Sequence, residues 1–255
     1  MRIIMLGTGT SHGIPMIGCD CDVCRSSDPR DRRTRSSIVV ETAGHSFLID
    51  TTPELRLQCI ACDVCRVDAV LFTHFHADHV AGLDDLRRFN DLQKSPIPCY
   101  ADAPTSAMLK QMFGYAFEDR PDYPSVKPRL CLETITETLT ILGVSVQPIP
   151  LMHGDLPVFG FRFGRFAYCT DVNFIPESSF HLLRDLDVLV LDGLRRRPHP
   201  THFNLTEAVQ TAQRIGAKQT WFTHIAHELG HEVTNARLPA GMALACDGQV
   251  IELPD

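Results

Sequence analysis

The chain has 255 residues, of which 44% are hydrophobic, and its formal net charge is −7 at pH 7. This length and hydrophobic content predict a single domain over residues 1–255, and the negative charge disfavours a general nucleic-acid surface. No apolar run is long enough to span a bilayer, and the N-terminus predicts a first strand rather than an export signal, so we expect a cytoplasmic protein without membrane contact.

Short apolar runs alternate with helical stretches along the chain, which predicts an α/β or αββα architecture. The predicted strands cover residues 1–6, 37–40, 46–49, 70–73, 97–101, 139–151, 158–163, 165–169, 188–191, 220–223 and 248–253. The predicted helices cover residues 81–89, 105–113, 178–183 and 205–215. Prolines and aspartates predict a loop over residues 118–127.

The segment HFHADH at residues 74–79 directly follows a predicted strand. It contains four metal-ligating side chains, which are His74, His76, Asp78 and His79. Imidazole and carboxylate ligands together suit zinc, manganese or iron. Because open α/β sheets place their sites at the carboxyl ends of strands, this segment predicts part of a metal centre.

Three further candidate ligands also lie where predicted strands end, and they are His153, Asp171 and His224. A centre with two metal ions needs about seven or eight ligand positions, one of them bridging. The seven side chains together meet that need and predict a dinuclear hydrolytic centre. A hydroxide that bridges two divalent ions would be a strong nucleophile at neutral pH.

The segment at residues 74–79, followed by Gly82 and Leu83, is similar to the signature of the metallo-β-lactamase superfamily. The downstream His153, Asp171 and His224 match the later motifs of that superfamily in order. The resemblance covers essentially the whole chain and implies an αββα sandwich of two mixed β-sheets flanked by helices. It also implies that the first metal is held by His74, His76 and His153, the second by Asp78, His79 and His224, and both by a bridging Asp171. By the same resemblance, Asp50 orients a ligand histidine.

Ten cysteines in a chain without an export signal indicate thiols and metal ligands rather than disulfides. Three of them lie within six residues: Cys19, Cys21 and Cys24. A closed tetrahedral zinc site needs a fourth ligand, for which His227 is the candidate and His231 the weaker alternative. This arrangement resembles that of the PhnP-like branch of the superfamily, which implies one structural zinc.

Two other clusters are interpreted as non-catalytic. The spacing of Cys59, Cys62 and Cys65 predicts one side of a helix packed in the core, in preference to a third metal site. The basic runs at residues 32–35 and 195–197 are typical of solvated faces, with phosphate binding as the alternative.

His202 and Asp78 are the predicted catalytic residues. His202 lies just before a predicted helix, where a histidine of the PhnP-like proteins assists phosphodiester cleavage, so it is the candidate proton donor. His199 is its competitor. Asp192, at the end of a strand, could orient a histidine or act as a simple cap.

The resemblance implies a hydrolase of a small phosphodiester, ribose cyclic phosphates included, which yields a phosphomonoester and uses two catalytic zinc or manganese ions. The alternatives are a thioester or acyl hydrolase of the glyoxalase II type, a tRNA 3'-processing nuclease, and a PqqB-like carrier in cofactor biosynthesis. No inserted arm for tRNA is found, which disfavours nucleic acid. The loop over residues 117–127 could cap a small substrate, and a homodimer is compatible with the resemblance.

Overall fold

A computed structural model describes residues 1–118 and 126–254. The strands in these residues are, in chain order, β1 (Arg2–Gly7), β2 (Ser37–Thr42), β3 (His45–Ile49), β4 (Ala69–Leu71), β5 (Ile97–Ala101), β6 (Leu130–Thr134), β7 (Leu139–Ile141), β8 (Val144–His153), β9 (Leu156–Phe163), β10 (Phe166–Cys169), β11 (Val188–Asp192), β12 (Gln219–Thr223), β13 (Met242–Leu244) and β14 (Val250–Glu252). The α-helices are α1 (Leu55–Ala61), α2 (Ala77–Val80), α3 (Arg87–Gln93), α4 (Ala103–Phe117), α5 (Leu205–Ile215) and α6 (His231–Asn235). Short 3-10 helices cover Pro29–Asp31, Leu83–Leu86 and Glu177–Leu183.

The strands form two mixed sheets of seven strands each. The first sheet has the order β14-β1-β2-β3-β4-β5-β6, and the second has the order β13-β12-β11-β10-β9-β8-β7. In the first sheet, the pairs from β3 to β6 are parallel. In the second sheet, the pairs from β10 to β13 are parallel. In each sheet, the parallel strands therefore have their carboxyl ends at the same edge.

Successive side chains of a strand point to opposite faces of its sheet, and this alternation builds three layers of hydrophobic core. In β1, Ile3 and Met5 pack between the two sheets together with Phe161, whereas Ile4 faces the helices that cover the first sheet. On the outer side of the second sheet, the buried face of α5 includes Ala208. Burial of each large apolar side chain contributes about 1.5–3 kcal/mol. The resulting order of helix, sheet, sheet and helix confirms the predicted αββα sandwich.

The predicted strand over residues 139–151 is wrong in one respect, because the structure divides it into β7 and β8. Leu142 and Gly143 form the turn between them, with φ angles of 53° and 81°. Two successive positive φ angles are typical of the tight turn in a β-hairpin. Leucine is apolar and gives no turn signal, so the sequence pattern conceals this hairpin.

The predicted helix over residues 81–89 is also wrong in its bounds. The structure has α2, a 3-10 helix and α3 in this region, and Gly82 lies between α2 and the 3-10 helix. A Cβ atom at Gly82 would lie 1.9 Å from the carbonyl oxygen of Thr52. This close backbone approach explains why a glycine separates the short helices.

The edge strands β6 and β13 have no counterpart among the predicted strands, because each is short and has only one buried residue. Most of the predicted loop over residues 118–127, and of the cap proposed for it, falls on residues 119–125 and lies outside the described residues. Among the helices that the structure describes, none combines the length and apolar character that a membrane span requires.

Candidate metal centre

The candidate metal ligands lie where strands of both sheets end. His153 is the last residue of β8, Asp171 lies two residues after β10, and His224 directly follows β12. In the first sheet, the segment 74–79 follows β4, and Asp50 directly follows β3. The strand ends thus bring residues that are far apart in sequence to one edge of the sandwich, as the sequence predicted.

Three of these residues have an uncommon backbone conformation. The φ angles are 64° at Asp50, 51° at Asp171 and 58° at His224. A side chain in this left-handed region costs about 1–2 kcal/mol relative to ordinary backbone. Such conformations cluster at functional sites, where the surrounding structure holds them in place.

The first cluster contains His74, His76, His153 and Asp171, whose ligand atoms all lie within 4.8 Å of one another. The Nε2 atoms of His74 and His153 lie 3.8 Å and 3.9 Å from Oδ2 of Asp171. Nδ1 of His153 donates a hydrogen bond of 2.7 Å to the carbonyl oxygen of Thr201. This bond leaves the lone pair on Nε2 facing the cluster, as a metal ligand requires.

The second cluster contains Asp78, His79, Asp171 and His224, again within 4.8 Å of one another. The Nε2 atoms of His79 and His224 lie 3.2 Å and 3.4 Å from Oδ1 of Asp171. Asp171 therefore presents Oδ2 to the first cluster and Oδ1 to the second. This is the geometry of a carboxylate that bridges two metal ions.

Asp50 fixes the orientation of His79 from behind the cluster. Its Oδ2 atom accepts a hydrogen bond of 2.8 Å from Nδ1 of His79, and its Oδ1 atom accepts one of 2.8 Å from the backbone N–H of Thr73. The hydroxyl of Thr73 donates a third bond to the same carboxylate. With Nδ1 of His79 protonated by this pairing, Nε2 is the atom left free for a metal.

The donor atoms fit two divalent metal ions. The Nε2 atoms of His74, His79 and His224 are buried and have no hydrogen-bond partner among the described residues. A buried polar atom without a partner costs about 1–3 kcal/mol, and metal coordination would remove that cost. Although burial alone would raise the pKa of Asp171, the facing His224 and His79 hold that pKa well below its ordinary value, which favours an anionic carboxylate between the two clusters.

His202 lies beside this centre and is held by a buried carboxylate. Its Nδ1 atom donates a hydrogen bond of 2.6 Å to Oδ2 of Asp192, which has no solvent exposure. Its Nε2 atom lies 3.9 Å from Oδ2 of Asp171, and its ring stacks on that of His224 at 4.5 Å between centroids. Burial alone would lower the pKa of His202, but Asp192 raises it to about 9. The pairing with Asp192 thus favours the protonated form of the imidazole beside the candidate metal positions.

His199 lies farther from the centre, with its ring centroid 5.0 Å from that of His202. Its Nδ1 atom accepts a hydrogen bond of 3.3 Å from the backbone N–H of Thr201, and burial lowers the pKa of His199. Because a carboxylate orients His202 and hydrogen-bonds its Nδ1–H, whereas His199 has no carboxylate partner among the described residues, the geometry favours His202 as the proton donor.

The three clustered cysteines meet His227 in a second, separate group. The Sγ atoms of Cys19, Cys21 and Cys24 lie 3.2 Å, 3.4 Å and 3.8 Å from Nδ1 of His227. A hydrogen bond from the backbone N–H of Cys24 lowers the pKa of Cys21, whereas burial raises that of Cys24 to about 11. Four donors of this kind fit a closed tetrahedral zinc site.

His231, the alternative fourth ligand, lies outside this group. Its backbone N–H donates a hydrogen bond to Asp31, and burial lowers the pKa of its ring. Of the other cysteines, Cys59 is buried in the core as predicted, and Cys62 packs partly against it. The prediction is wrong for Cys65, which is exposed because α1 ends at Ala61.

The two basic runs have different surroundings. Arg33 is buried and paired with Asp31, so the interpretation of its run as a solvated face is wrong at that residue. In the other run, Arg195 donates to the carbonyl oxygen of Pro198 and Arg197 pairs with Glu228. These guanidinium groups therefore have partners within the protein.

Asn173 is a site residue that the sequence interpretation missed. Its Oδ1 atom accepts a hydrogen bond of 2.7 Å from the backbone N–H of Gly154, and its Nδ2 atom donates one of 3.0 Å to the carbonyl oxygen of Pro200. It thus joins the turn after His153 to the loop that carries His202. Its position two residues after Asp171 is the signal that could have identified it.

Comparisons with known proteins agree with this geometry. A sequence model described as a beta-lactamase superfamily domain matches residues 45–225. A crystal structure described as a new diphosphatase from the PhnP family superposes with a TM-score of 0.92 and 43% sequence identity, and the match covers 99% of this chain and 98% of that one.

Three curated proteins are similar in sequence. An octanoyltransferase of Porphyromonas gingivalis is 37% identical over 230 residues, which are 89% of this chain and 46% of that protein. A coenzyme PQQ synthesis protein B of Rhodopseudomonas palustris is 36% identical over 123 residues, covering 43% of this chain and 38% of that protein. The chain thus spans less than half of either relative. A ribonuclease Z of a Mycobacterium species is 28% identical over 227 residues, covering 77% of this chain and 79% of that protein.

Proposed function

The chain belongs to the metallo-β-lactamase superfamily and, within it, to the PhnP family, and on that premise we propose that it hydrolyses a small phosphodiester. Ribose cyclic phosphates are included in that class, and the product is a phosphomonoester. The observation that carries the proposal is Asp171, whose two oxygens face two separate clusters of histidines. The ribonuclease Z and PhnP-family relatives support phosphorus–oxygen bond cleavage as the reaction.

The proposed ligands of the first metal are His74, His76 and His153, those of the second are Asp78, His79 and His224, and Asp171 is shared. The same ligand types suit zinc and manganese. Two divalent ions supply, when bound, an activated water nucleophile at neutral pH and stabilisation of the charge on the phosphoryl oxygens.

His202 is the proposed donor of a proton to the leaving oxygen. Asp192 holds its Nδ1–H, so its Nε2–H points toward the centre and is the proton available for transfer. Asp78 is the proposed residue that orients the attacking water through its carboxylate. Its carboxylate is the least buried of the ligand carboxylates, at 14% side-chain exposure. Orientation of the nucleophile and protonation of the leaving group thus fall on different residues.

Acyl hydrolysis is a second candidate, because the octanoyltransferase relative is 37% identical over 89% of this chain. A PqqB-like carrier is disfavoured because both metal clusters have their complete donor sets. The net charge of −7 disfavours a tRNA substrate. We propose that the Cys19, Cys21, Cys24 and His227 group holds a zinc with a structural role.

The test uses purified protein loaded with zinc or manganese. Bis(p-nitrophenyl) phosphate and a ribose cyclic phosphate represent diesters, a dinucleoside diphosphate represents phosphoric anhydrides, and an octanoyl thioester represents acyl substrates. We expect metal-dependent turnover of the diesters. Turnover of the thioester alone by fully loaded protein would refute the proposal, and turnover of the diphosphate alone would move it to anhydride hydrolysis.

A His202→Ala variant tests the proton donor. We expect the variant to keep its metal content and to lose about 10²–10⁴-fold in kcat for an alkyl leaving group. The loss should be smaller for p-nitrophenolate, which leaves without a proton. His199→Ala is the matched control from the same loop, and a larger loss in that variant would transfer the role to His199.

A further inference from the structure

The side chain of Arg33 is enclosed by the protein and is only 1% exposed. Its Nη2 atom donates hydrogen bonds of 2.9 Å to Oδ1 of Asp31 and 2.8 Å to the carbonyl oxygen of Leu229, and its Nη1 atom donates one of 3.4 Å to the carbonyl oxygen of Ala226. An isolated charge in the interior is costly unless it is paired and hydrogen-bonded. The position of this guanidinium is therefore fixed by its partners.

The carbonyl oxygens that Arg33 binds belong to the segment that carries ligands of both metal sites. His224 faces the catalytic centre, His227 faces the cysteines, and Ala226 lies between them. On its other side, this segment pairs with the first strand region, where Ile225 donates to the carbonyl oxygen of Thr8. Arg33 thus holds the short connection between the two sites.

The backbone of Arg33 also holds the loop that carries the cysteines. Arg33 and Ile14 exchange two backbone hydrogen bonds of 2.8 Å and 2.7 Å. Two residues later, the N–H of Met16 donates to Sγ of Cys24. Arg33, a single buried residue, therefore contacts both the loop that supplies the thiolates and the segment that supplies the two histidines.

Asp31 completes the same arrangement. Its Oδ1 atom accepts from Arg33 and also from the backbone N–H of His231, four residues after His227. The planar fork of an arginine can serve several acceptors at fixed angles, which the single ammonium of a lysine cannot. Removal of the guanidinium would take one donor from the carboxylate of Asp31 and from the carbonyl oxygens of Ala226 and Leu229.

We propose that Arg33 is a positioning residue that couples the two metal sites, so that occupancy of the cysteine site raises the affinity of the catalytic centre. The proposal rests on the ligand assignments made above. Zinc between the cysteines and His227 fixes one end of the segment, and Arg33 transmits that position to His224 because it holds the carbonyl oxygen between them. Such coupling is reciprocal and is measured as a change in binding affinity.

The test is a double-mutant cycle with Cys21→Ser and Arg33→Met, read as manganese affinity rather than turnover. Manganese prefers the nitrogen and oxygen ligands of the catalytic centre, whereas thiolates select zinc. The protein is loaded with one equivalent of zinc and then titrated with Mn²⁺ by electron paramagnetic resonance. In the Arg33 background, we expect Cys21→Ser to weaken Mn²⁺ binding about tenfold, a typical coupling. In the Arg33→Met background, the same change should weaken it less than about twofold.

If Arg33 had only a structural role, Arg33→Met would lower the melting temperature, and the effects of Arg33→Met and Cys21→Ser on Mn²⁺ affinity would simply multiply. Multiplicative effects, or no effect of Cys21→Ser in the Arg33 background, would overturn the coupling while leaving the proposed hydrolysis intact. Absence of Mn²⁺ binding to the unmodified protein would overturn the coupling as stated, and the proposed function would fail with it only if the zinc-loaded protein also did not turn over the diesters. Arg33→Lys, which keeps the buried charge, replaces Arg33→Met in the cycle if the latter does not fold. Arg32→Met, at an exposed neighbour, is the matched control and should leave the coupling unchanged.

Discussion

Replacement of Asp192 by asparagine tests the pairing that orients His202. The carboxylate is buried and accepts hydrogen bonds from Nδ1 of His202 and from the backbone N–H of Val172. Asparagine has the same shape and can still accept a hydrogen bond, but it carries no charge. The variant therefore removes the charge that stabilises a protonated His202 and preserves the packing around it.

The size of the effect follows from the pKa of His202, which Asp192 helps to raise from 6.5 to about 9 despite burial. A shift of that size corresponds to about 3 kcal/mol in favour of the protonated ring. At pH 7.5, a pKa of about 9 leaves about 97% of the imidazole protonated, whereas a pKa of about 6.5 leaves about 9%, and burial without the Asp192 charge favours a still lower protonated fraction. We therefore expect Asp192→Asn to lower kcat at least about tenfold at pH 7.5, and the loss to be smaller at pH 5.5.

The assay is kcat for an alkyl phosphodiester between pH 5.5 and pH 8.5, expressed at each pH as the ratio of variant to unmodified protein. This ratio cancels the titration of groups that the two proteins share. Asp187→Asn is the matched control, because Asp187 directly precedes β11 and Asp192 ends it. Asp187 pairs with Arg165 and Lys218 at the end of the strand opposite to Asp192. The kcat ratio of the Asp187→Asn variant should therefore stay near one.

A ratio that is the same at pH 5.5 and pH 7.5 would refute this reasoning, since it would mean that Asp192 positions His202 without raising its pKa. A ratio that falls toward acid pH would contradict the sign of the effect. The metal content of the variant, measured alongside, separates a change in proton transfer from a loss of ligands.

Two other changes test the supports of the metal sites. Cys21→Ser should remove one zinc ion per chain and lower the melting temperature, because the site ties the cysteine loop to His227. Zinc content is measured by mass spectrometry and stability by a melting curve. Cys65→Ser, at an exposed thiol, is the control and should change neither quantity. Asp50→Asn should weaken metal binding by about 10–100-fold in a chelator competition, because Asp50 orients His79. Unchanged affinity in the second variant would show that the remaining ligands position His79 without it.

The grouping of the proposed metal ligands at one edge was predictable because their signals are local. The segment 74–79 holds four donors in six residues, and His153, Asp171 and His224 each follow an apolar strand. Because sites in open α/β sheets lie at the carboxyl ends of strands, these residues can be placed at one edge of the sheets without knowledge of the packing. The layered sandwich follows from the same alternation of strands and helices.

Other parts of the site have no such signal. The carbonyl oxygen of Thr201, which orients His153, is a backbone group, and every residue has one. Arg33 lies in a run of arginines, and arginine is mostly exposed in proteins, so its burial depends on long-range contacts. The hairpin at Leu142 was hidden because the conformation there is set by the pairing of β7 with β8 rather than by the residue.

The left-handed backbone at Asp50, Asp171 and His224 restricts which substitutions this centre can accept during evolution. Asparagine and aspartate tolerate this conformation better than other side chains, and β-branched residues tolerate it least. A single change from aspartate to asparagine therefore keeps both the backbone and an oxygen donor, and alters only the charge. At Asp50 and Asp171, a change to asparagine would thus alter metal affinity and keep the backbone conformation at the strand ends. Valine or isoleucine at these positions would disturb both the backbone conformation and metal binding.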